Sequence, residues 1–207
     1  MSPEQSADIL DYWFGQLTDG IAAPQLRKRW YSFDPATDLE IESRFKSLLN
    51  ASSAWQLTDL SSPRDQLAFI ILNDQFPRNI YRGDAQAFAF DARALELTQN
   101  GVASQADAQL ALDERCFYYM PLEHSESLKD QQLCVSLFED LFEDTVSAYQ
   151  SNKKHQEVVE GFLRFAKSHL DVIEKFGRFP HRNRVLGRAS TVEEVEFLKQ
   201  ASSYGQG

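Results

Sequence analysis

Apolar residues recur at helical spacing along nearly the whole chain. Ile41, Phe45 and Leu49 mark one such face, and Phe138 and Leu141 begin another. No segment shows the sustained alternation of a half-buried strand, and no Asn-Gly or Asp-Gly pair joins two β-branched runs. The pattern therefore predicts an all-α protein of about eight to ten helices, following the usual lengths of helices and connections.

One predicted helix, opened by the cap Ser62 and Pro63, is apolar on most sides. Its run 67–72 is the longest fully apolar stretch in the sequence, and it is far too short to span a membrane. A helix that is apolar all round belongs at the centre of a bundle. We therefore expect residues 67–72 to form the middle of the core.

Proline and glycine predict where several helices end. Because proline cannot continue an α-helix, we expect helices to end before Pro77 and Pro180, and Pro121 to break the stretch that begins at Asp113. The pair Asn100-Gly101 predicts another stop, and Gly177 ends a long helix that covers roughly residues 156–176. A further long helix is expected from near Ser125 or Ser127 to about Gln150.

Composition excludes several classes of function. The 207 residues carry a net charge of -10, which disfavours general nucleic-acid binding and docking on an anionic membrane. The two cysteines have no metal-type spacing, which is typical of buried thiols in a reducing compartment. No signal peptide is visible. We expect one all-helical domain over residues 1–207, soluble and cytoplasmic, with no cofactor.

A short phrase occurs twice and carries most of the chemistry. Residues 76–79 read Phe-Pro-Arg-Asn, and residues 179–183 read Phe-Pro-His-Arg-Asn. Residues 178–188 hold four arginines and no acid, although the chain as a whole is acidic. Guanidinium groups bind carboxylate or phosphate through two parallel hydrogen bonds. If the two turns meet, the predicted ligand-binding residues are Arg78, Asn79, Arg82, Arg178, His181, Arg182, Asn183 and Arg188.

A structural use of the same residues is the other interpretation. The arginines and asparagines after each turn can hydrogen-bond the last free carbonyls of the preceding helix. Asp74 lies on the helix face of Leu67, Ile70 and Ile71, so it is expected to be semi-buried and to need a cation. A buried Asp–Arg network would satisfy that need without any ligand.

Histidines offer a catalytic alternative. His124 lies between Glu123 and Glu126 after a proline, so it is a candidate general base, although a helix cap would explain it as well. His181 lies among arginines that favour its neutral form. The catalytic candidates are His124 and His181, with Asp74 or Glu126 as the orienting carboxylate. His169, on an apolar helix face, is typical of a core histidine.

No metal or nucleophile motif is present. The sequence lacks His-Glu-x-x-His, paired Cys-x-x-Cys and Gly-x-Ser-x-Gly, and it lacks the phosphate-binding glycine patterns. A metal site built from His124, His181 and Glu123 or Glu126 would need long-range convergence, so none is predicted. The aromatic residues Trp13, Trp30, Tyr31 and Phe33 are typical of core, with a partner-binding groove as the alternative.

Five segments of this sequence resemble the signatures of one bacterial family. They are residues 12–15, 29–31, 74–83, 121–126 and 176–188, and they follow the family's order over nearly the whole chain. The chain is similar to the family catalogued as domain of unknown function 924. The resemblance implies helix pairs that stack in a tetratricopeptide-like array, and it implies no activity.

Together these patterns predict a single domain of antiparallel helix pairs in a tetratricopeptide-like array. The predicted function is a binding protein whose Arg/Asn/His pocket holds a small anionic ligand or an acidic peptide. The alternative is a hydrolase or lyase that acts on a small phosphorylated or carboxylated metabolite, with His124 or His181 as the acid or base.

Overall fold

The computed structural model describes residues 1–148 and 153–199, and within these ranges the chain forms helices and no strand. This confirms the predicted all-α class. The helices are α1 (Pro3–Phe14), α2 (Pro24–Trp30), α3 (Pro35–Ser52), α4 (Pro63–Ile70), α5 (Phe76–Ile80), α6 (Asp91–Ala103), α7 (Leu112–Glu123), α8 (Leu128–Ala148), α9 (Lys153–Phe176) and α10 (Val192–Leu198). The predicted end of α8 near Gln150 lies outside the described residues. The tetratricopeptide-like stacking stays a prediction.

Helix α4 forms the centre of the core, as its apolar run predicts. Every side chain from Leu67 to Leu72 is fully buried. The helix begins where Ser62 accepts a hydrogen bond from the backbone N–H of Asp65 at 3.0 Å. Elements α1, α6 and α7 all pack against α4. Because α4 is enclosed on all sides, polar groups at its C-terminal end have little access to water and must find partners inside the protein.

The chain does not leave the helix at Pro77, and this corrects the prediction. A π-helical turn over Ile71–Gln75 follows α4 directly, and α5 continues from Phe76 through the proline. In the π-turn the backbone N–H of Phe76 donates to the carbonyl of Ile71, five residues back. The wider turn makes room for the proline ring, which would otherwise clash with the carbonyl four residues back. Three polar side chains, Asn73, Asp74 and Gln75, are thereby placed inside the core.

Helix α7 also contains a proline, so the break predicted at Pro121 is wrong as well. The helix continues to Glu123, and the backbone N–H of His124 still bonds to the carbonyl of Met120 at 2.9 Å. The Gln131 side chain donates to the carbonyls of Glu123 at 2.6 Å and Ser125 at 2.7 Å. These bonds supply donors for carbonyl groups at the C-terminal end of α7, which have no partner within the helix. They also fix the backbone that carries Glu123 and His124.

Gly101 lies within α6 rather than at its end, so the stop predicted at Asn100-Gly101 is wrong. A glycine is required at this position because the side chain of Tyr118 occupies the space beside it. A Cβ on Gly101 would lie 1.6 Å from the hydroxyl oxygen of Tyr118. That hydroxyl donates to Oε1 of Gln66 in α4 at 2.6 Å, so it cannot move away freely. The glycine therefore permits close packing of α6 on α7, and α6 ends only at Ala103.

We expect Gly101→Ala to lower the free energy of unfolding by about 1–3 kcal/mol, because the added methyl overpacks the α6–α7 contact. The matched control is Gly161→Ala in α9, where the added Cβ would meet no atom within 4 Å beyond its chain neighbours and the backbone of its own helix. This control should raise stability by about 0.5–1 kcal/mol through helix propensity alone. Urea unfolding midpoints of both variants measure the difference. Equal effects of the two substitutions would contradict the packing described for Tyr118.

The long helices α8 and α9 run against each other, with Phe138 stacked on Phe162 at 5.8 Å between ring centroids. Helix α9 ends as predicted at Gly177, whose φ of 65° suits glycine. The following turn buries Phe179 with Val172 and Ile173 in a small separate cluster. Across the described ranges, none of the helices combines the length and apolar character needed to cross a membrane.

Candidate functional site

A histidine and an aspartate from distant parts of the chain meet beside a cleft. Nδ1 of His124, at the end of α7, lies 2.8 Å from Oδ1 and 3.0 Å from Oδ2 of Asp74 in the π-turn. Asp74 is fully buried, and the side chain of His124 is 12% exposed. The contact orients the imidazole. It also leaves Nε2 as the ring nitrogen that a ligand in the cleft can reach.

Electrostatics keep Asp74 ionised and His124 neutral. Burial acts to raise the pKa of Asp74, but the charge of Arg78, the charge that His124 acquires at low pH, and hydrogen bonds from His124 and Gln75 outweigh it and hold the pKa at about 2. Burial lowers the pKa of His124, and the nearby Arg78 adds to this effect. At neutral pH the carboxylate therefore accepts the Nδ1 proton, and Nε2 carries a free electron pair.

Arg78 connects this pair to the next helix. Its guanidinium lies 3.3 Å from Oδ1 of Asp74 and binds both oxygens of Asp91 at 2.8 and 2.9 Å. Nε2 of Gln75 also donates to Asp74, at 2.6 Å. The network agrees with the structural use predicted for these arginines, since a buried aspartate is neutralised by an arginine one helical turn away.

The two repeated turns do meet in space. Arg182, from the second turn, lies 3.8 Å from the same Asp91 and donates to the carbonyl of His124 at 3.0 Å. Its guanidinium packs between the rings of Phe88 at 4.6 Å and Phe179 at 4.5 Å. Burial, and then the charge of Arg78, lower the pKa of Arg182 to about 10. The second turn therefore fixes the backbone of His124 through the hydrogen bond from Arg182.

The cleft beside His124 has a volume of about 280 Å³, near the lower end of small-molecule pockets. One wall is aromatic and consists of Trp13, Trp30, Tyr31, Phe117, Phe162 and Phe165. The polar part of the lining, called the polar wall, includes Arg78, Asn79, Arg82, Glu123, His124 and His169. Phe33 also lines the cleft, so all four aromatic residues proposed for a groove lie along it. Trp13 belongs to the core as well, since only 2% of it is exposed.

Residues 9–202 match the family model described as a bacterial protein of unknown function, DUF924. The chain belongs to this family. A solved structure of similar fold is the protein of unknown function ATU0120 from Agrobacterium tumefaciens, 30% identical in sequence with a TM-score of 0.78. The similarity covers 96% of this chain and 98% of that one. No curated protein matches the sequence.

The other arginines and asparagines predicted to bind a ligand in this DUF924 chain pair with acids. In the cleft wall, Asn79 and Arg82 both bind Asp38, at 2.7 Å and at 2.8 and 2.9 Å. Arg178 binds both oxygens of Glu194, at 2.7 and 2.9 Å. Asn183 reaches Glu194 at 3.2 Å, and Arg188 binds both oxygens of Glu126 at 2.7 and 2.9 Å. Like Arg178, these two residues are not among the residues that line the cleft.

Of the two candidate histidines, only His124 lines the cleft. The ring of His181 packs on Phe179, 5.5 Å between centroids, and burial together with Arg182 lowers its pKa to about 3. Glu126 accepts the backbone N–H of Phe179 at 2.8 Å. Burial acts to raise the pKa of Glu126, but the hydrogen bonds from Arg188 and from the Phe179 backbone outweigh it and hold the pKa below its usual value. Of the two proposed orienting carboxylates, Asp74 contacts His124.

Glu123 is a site residue that the sequence suggested only as a remote metal ligand. It lines the cleft beside His124, and 3% of it is exposed. Burial, and then the charge of Asp74, raise its pKa to about 8, although Arg78 acts in the opposite direction. Its position next to His124 at the end of a helix was the available signal. Among the described residues, no group of His, Cys, Asp and Glu side chains is arranged to hold a metal ion.

The raised pKa of Glu123 predicts a fall in stability as pH rises. The folded protein binds a proton there that the unfolded chain has lost, so this contribution disappears as pH passes through about 8. The lowered pKa values of His124, His169 and His181 act in the opposite sense, because the unfolded chain binds their protons up to about pH 7.5. Between pH 6.5 and 8 we therefore expect the unfolding free energy of the wild type to fall by about 1–2 kcal/mol relative to that of Glu123→Gln, in which the histidine contributions are the same. Urea titrations of both proteins at each pH measure this difference. Parallel curves would contradict the neutral form of Glu123.

Proposed function

We propose that the protein is an enzyme that performs acid–base chemistry on a small carboxylated or phosphorylated metabolite in this cleft. The observation that carries the proposal is the contact between Asp74 and Nδ1 of His124 on the cleft wall. A buried carboxylate fixes the tautomer of the imidazole and stabilises the imidazolium that forms when the ring accepts a proton. His124 acts as the general base, and Asp74 is its positioning residue.

The cleft favours proton transfer over covalent catalysis. Cys116 and Cys134 are buried away from the described lining, and burial raises the pKa of both thiols. Ser32 is the one serine among the described lining residues. No hydrogen bond joins it to an imidazole in the described part of the chain, as an activated serine would require. A lyase, or a hydrolase that activates water, agrees with this set of residues.

The arginines in the wall suit the anionic end of such a substrate. Arg78 and Arg82 lie along the same polar wall as His124. Both already bind carboxylates, Asp91 and Asp38, so the wall is not strongly cationic. A substrate carboxylate would share these guanidinium groups with the aspartates. Such sharing suits one carboxylate better than a polyphosphate.

The second candidate function is binding without catalysis. It is favoured by the presence of Arg78, Asn79 and Arg82 together in the cleft wall. In this case a small anion or an acidic peptide terminus would occupy the cleft, and His124 would only donate or accept a hydrogen bond. A ligand that stabilises the protein and leaves unchanged on prolonged incubation would support binding over catalysis.

The experiment is a turnover screen with carboxylated and phosphorylated metabolites, followed by NMR of each mixture. We expect at least one compound to be converted, and His124→Gln to lower that rate by about 10²–10⁴-fold. The matched control is His155→Gln, since His155 is buried beside the carbonyl of Asp19 and lies outside the cleft lining. Equal rates for wild type and His124→Gln would overturn the proposal.

A further inference from the structure

The Glu123 side chain is a buried carboxyl group whose partners do not satisfy it. Its Oε2 atom is fully covered and makes no hydrogen bond within the described residues. Oε1 lies 3.3 Å from Nδ1 of His169, but that nitrogen also lies 2.9 Å from the carbonyl of Phe165, which accepts its proton. A buried polar atom without a partner costs free energy, so its retention in a cleft wall points to a ligand.

The groups around Glu123 favour its protonated form. Asp74, in the π-turn, carries a negative charge that opposes a second carboxylate nearby, and Arg78 only partly offsets it. His169, which faces Glu123 from α9, is held neutral because burial lowers its pKa to about 3. Glu123 therefore lines the cleft as a carboxylic acid, which can donate a hydrogen bond as well as accept one.

His124 and Glu123 are consecutive residues, and both line the cleft. One presents a neutral base and the other a neutral acid. A base that removes a proton next to a carbonyl, together with an acid that hydrogen-bonds the carbonyl oxygen, is an effective way to form an enol. The aromatic wall suits an apolar body, and Arg78 suits a carboxylate.

We propose that Glu123 is the acid partner of His124, donating its proton to the keto oxygen of a 2-oxo acid with an aromatic or bulky apolar side chain. This inference rests on the proposed function of His124. It adds a second catalytic residue and a substrate class to that function.

The step balances without any further reactant. Nε2 of His124 takes a proton from the carbon next to the keto group, and the C–H electron pair becomes the C=C bond of the enol. The π pair of the C=O bond moves to oxygen and takes the proton of Glu123. His124 is then an imidazolium and Glu123 a carboxylate. In the reverse direction His124 returns a proton to the carbon, and Glu123 takes back the proton of the enol oxygen. Both residues are then restored to their starting forms.

Phenylpyruvate in D₂O is the probe, with exchange of its benzylic protons followed by NMR. We expect the wild type to exchange them about 10²-fold or more faster than buffer at the same pH. Glu123→Leu should lower this rate by about 10²–10³-fold. Glu123→Gln keeps a hydrogen-bond donor, so it should bind phenylpyruvate but exchange its protons slowly. 3-Phenylpropanoate, which lacks the keto oxygen, should bind to the wild type more weakly than phenylpyruvate does. To Glu123→Leu the two compounds should bind with equal affinity.

The pH profile separates an acid from a merely structural residue. The wild-type rate should fall as pH rises through about 8, where Glu123 ionises. The residual rate of Glu123→Gln should not fall with pH in this range. This measurement tests the role of Glu123 even if Glu123→Leu does not fold. Full exchange in Glu123→Leu with loss in His124→Gln would overturn the role of Glu123 and leave His124 as the base. Exchange no faster than buffer would overturn the substrate class, while the metabolite screen decides the function of His124 separately.

Discussion

Replacing Asp74 with asparagine is expected to lower the free energy of unfolding by about 3 kcal/mol. The carboxylate is fully buried, and it neutralises Arg78 while accepting the Nδ1 proton of His124. Removing one member of a buried ion pair typically costs about 3–5 kcal/mol, because the partner charge stays buried. We expect the lower end of this range, since Arg78 keeps its two bonds to Asp91. Urea unfolding at neutral pH measures the change.

The control for Asp74→Asn is Glu42→Gln, which removes an exposed ion pair with Lys46. That substitution should change stability by about 0.5 kcal/mol or less. Asp74 has a second readout in the tautomer of His124. ¹⁵N NMR should show Nδ1 protonated in the wild type and a mixture of tautomers in Asp74→Asn. An unchanged tautomer together with unchanged stability would contradict the buried charge network.

Phe76→Ala is expected to be comparably destabilising, by about 3–5 kcal/mol. The Phe76 ring is fully buried and stacks on Phe45 with 4.6 Å between centroids. It also meets the edges of Tyr12 at 6.1 Å and Trp13 at 5.6 Å. Truncation would leave a cavity where α1, α3 and α5 meet, and rings locked by several neighbours relax little to fill it.

The matched control is Phe33→Ala, because 68% of Phe33 is exposed at the rim of the cleft. It should change stability by about 0.5 kcal/mol or less. Thermal unfolding followed by circular dichroism compares the two variants. Similar losses in both would contradict the division between a packed core ring at position 76 and a rim ring at position 33.

Periodicity predicted the helices well because burial in this protein follows the 3.6-residue repeat. The run Leu67 to Leu72 is central, as its composition indicates. Proline rules failed at Pro77 and Pro121 because both helices absorb the proline, the first by widening into a π-turn. The helix end predicted at Gly101 was wrong for another reason. This glycine leaves room for the hydroxyl of Tyr118, and no local sequence pattern reveals a contact between two helices. The single domain over residues 1–207 stays a prediction.

The candidate site was only partly visible in the sequence. His124 and Asp74 were both named, but their contact joins residues fifty positions apart. The arginines were conspicuous, yet their carboxylate partners Asp38, Asp91 and Glu194 lie in unremarkable local contexts. Glu123 was named only as a remote metal ligand, because a glutamate at the end of a helix usually faces water. Only the cleft, formed by distant helices, shows that it does not.

The bond from Arg182 to the carbonyl of His124 joins residues that lie 58 positions apart in the chain. Helices α1 to α7 and the turns after them carry His124, Asp74 and most of the aromatic wall, whereas Phe162, Phe165 and His169 lie on α9 and Arg182 follows it. The cleft is therefore complete only when α9 and the turn after it are packed against the earlier helices. Local opening of that one segment would remove part of the cleft lining and the support of the His124 backbone together, while α4 could stay packed.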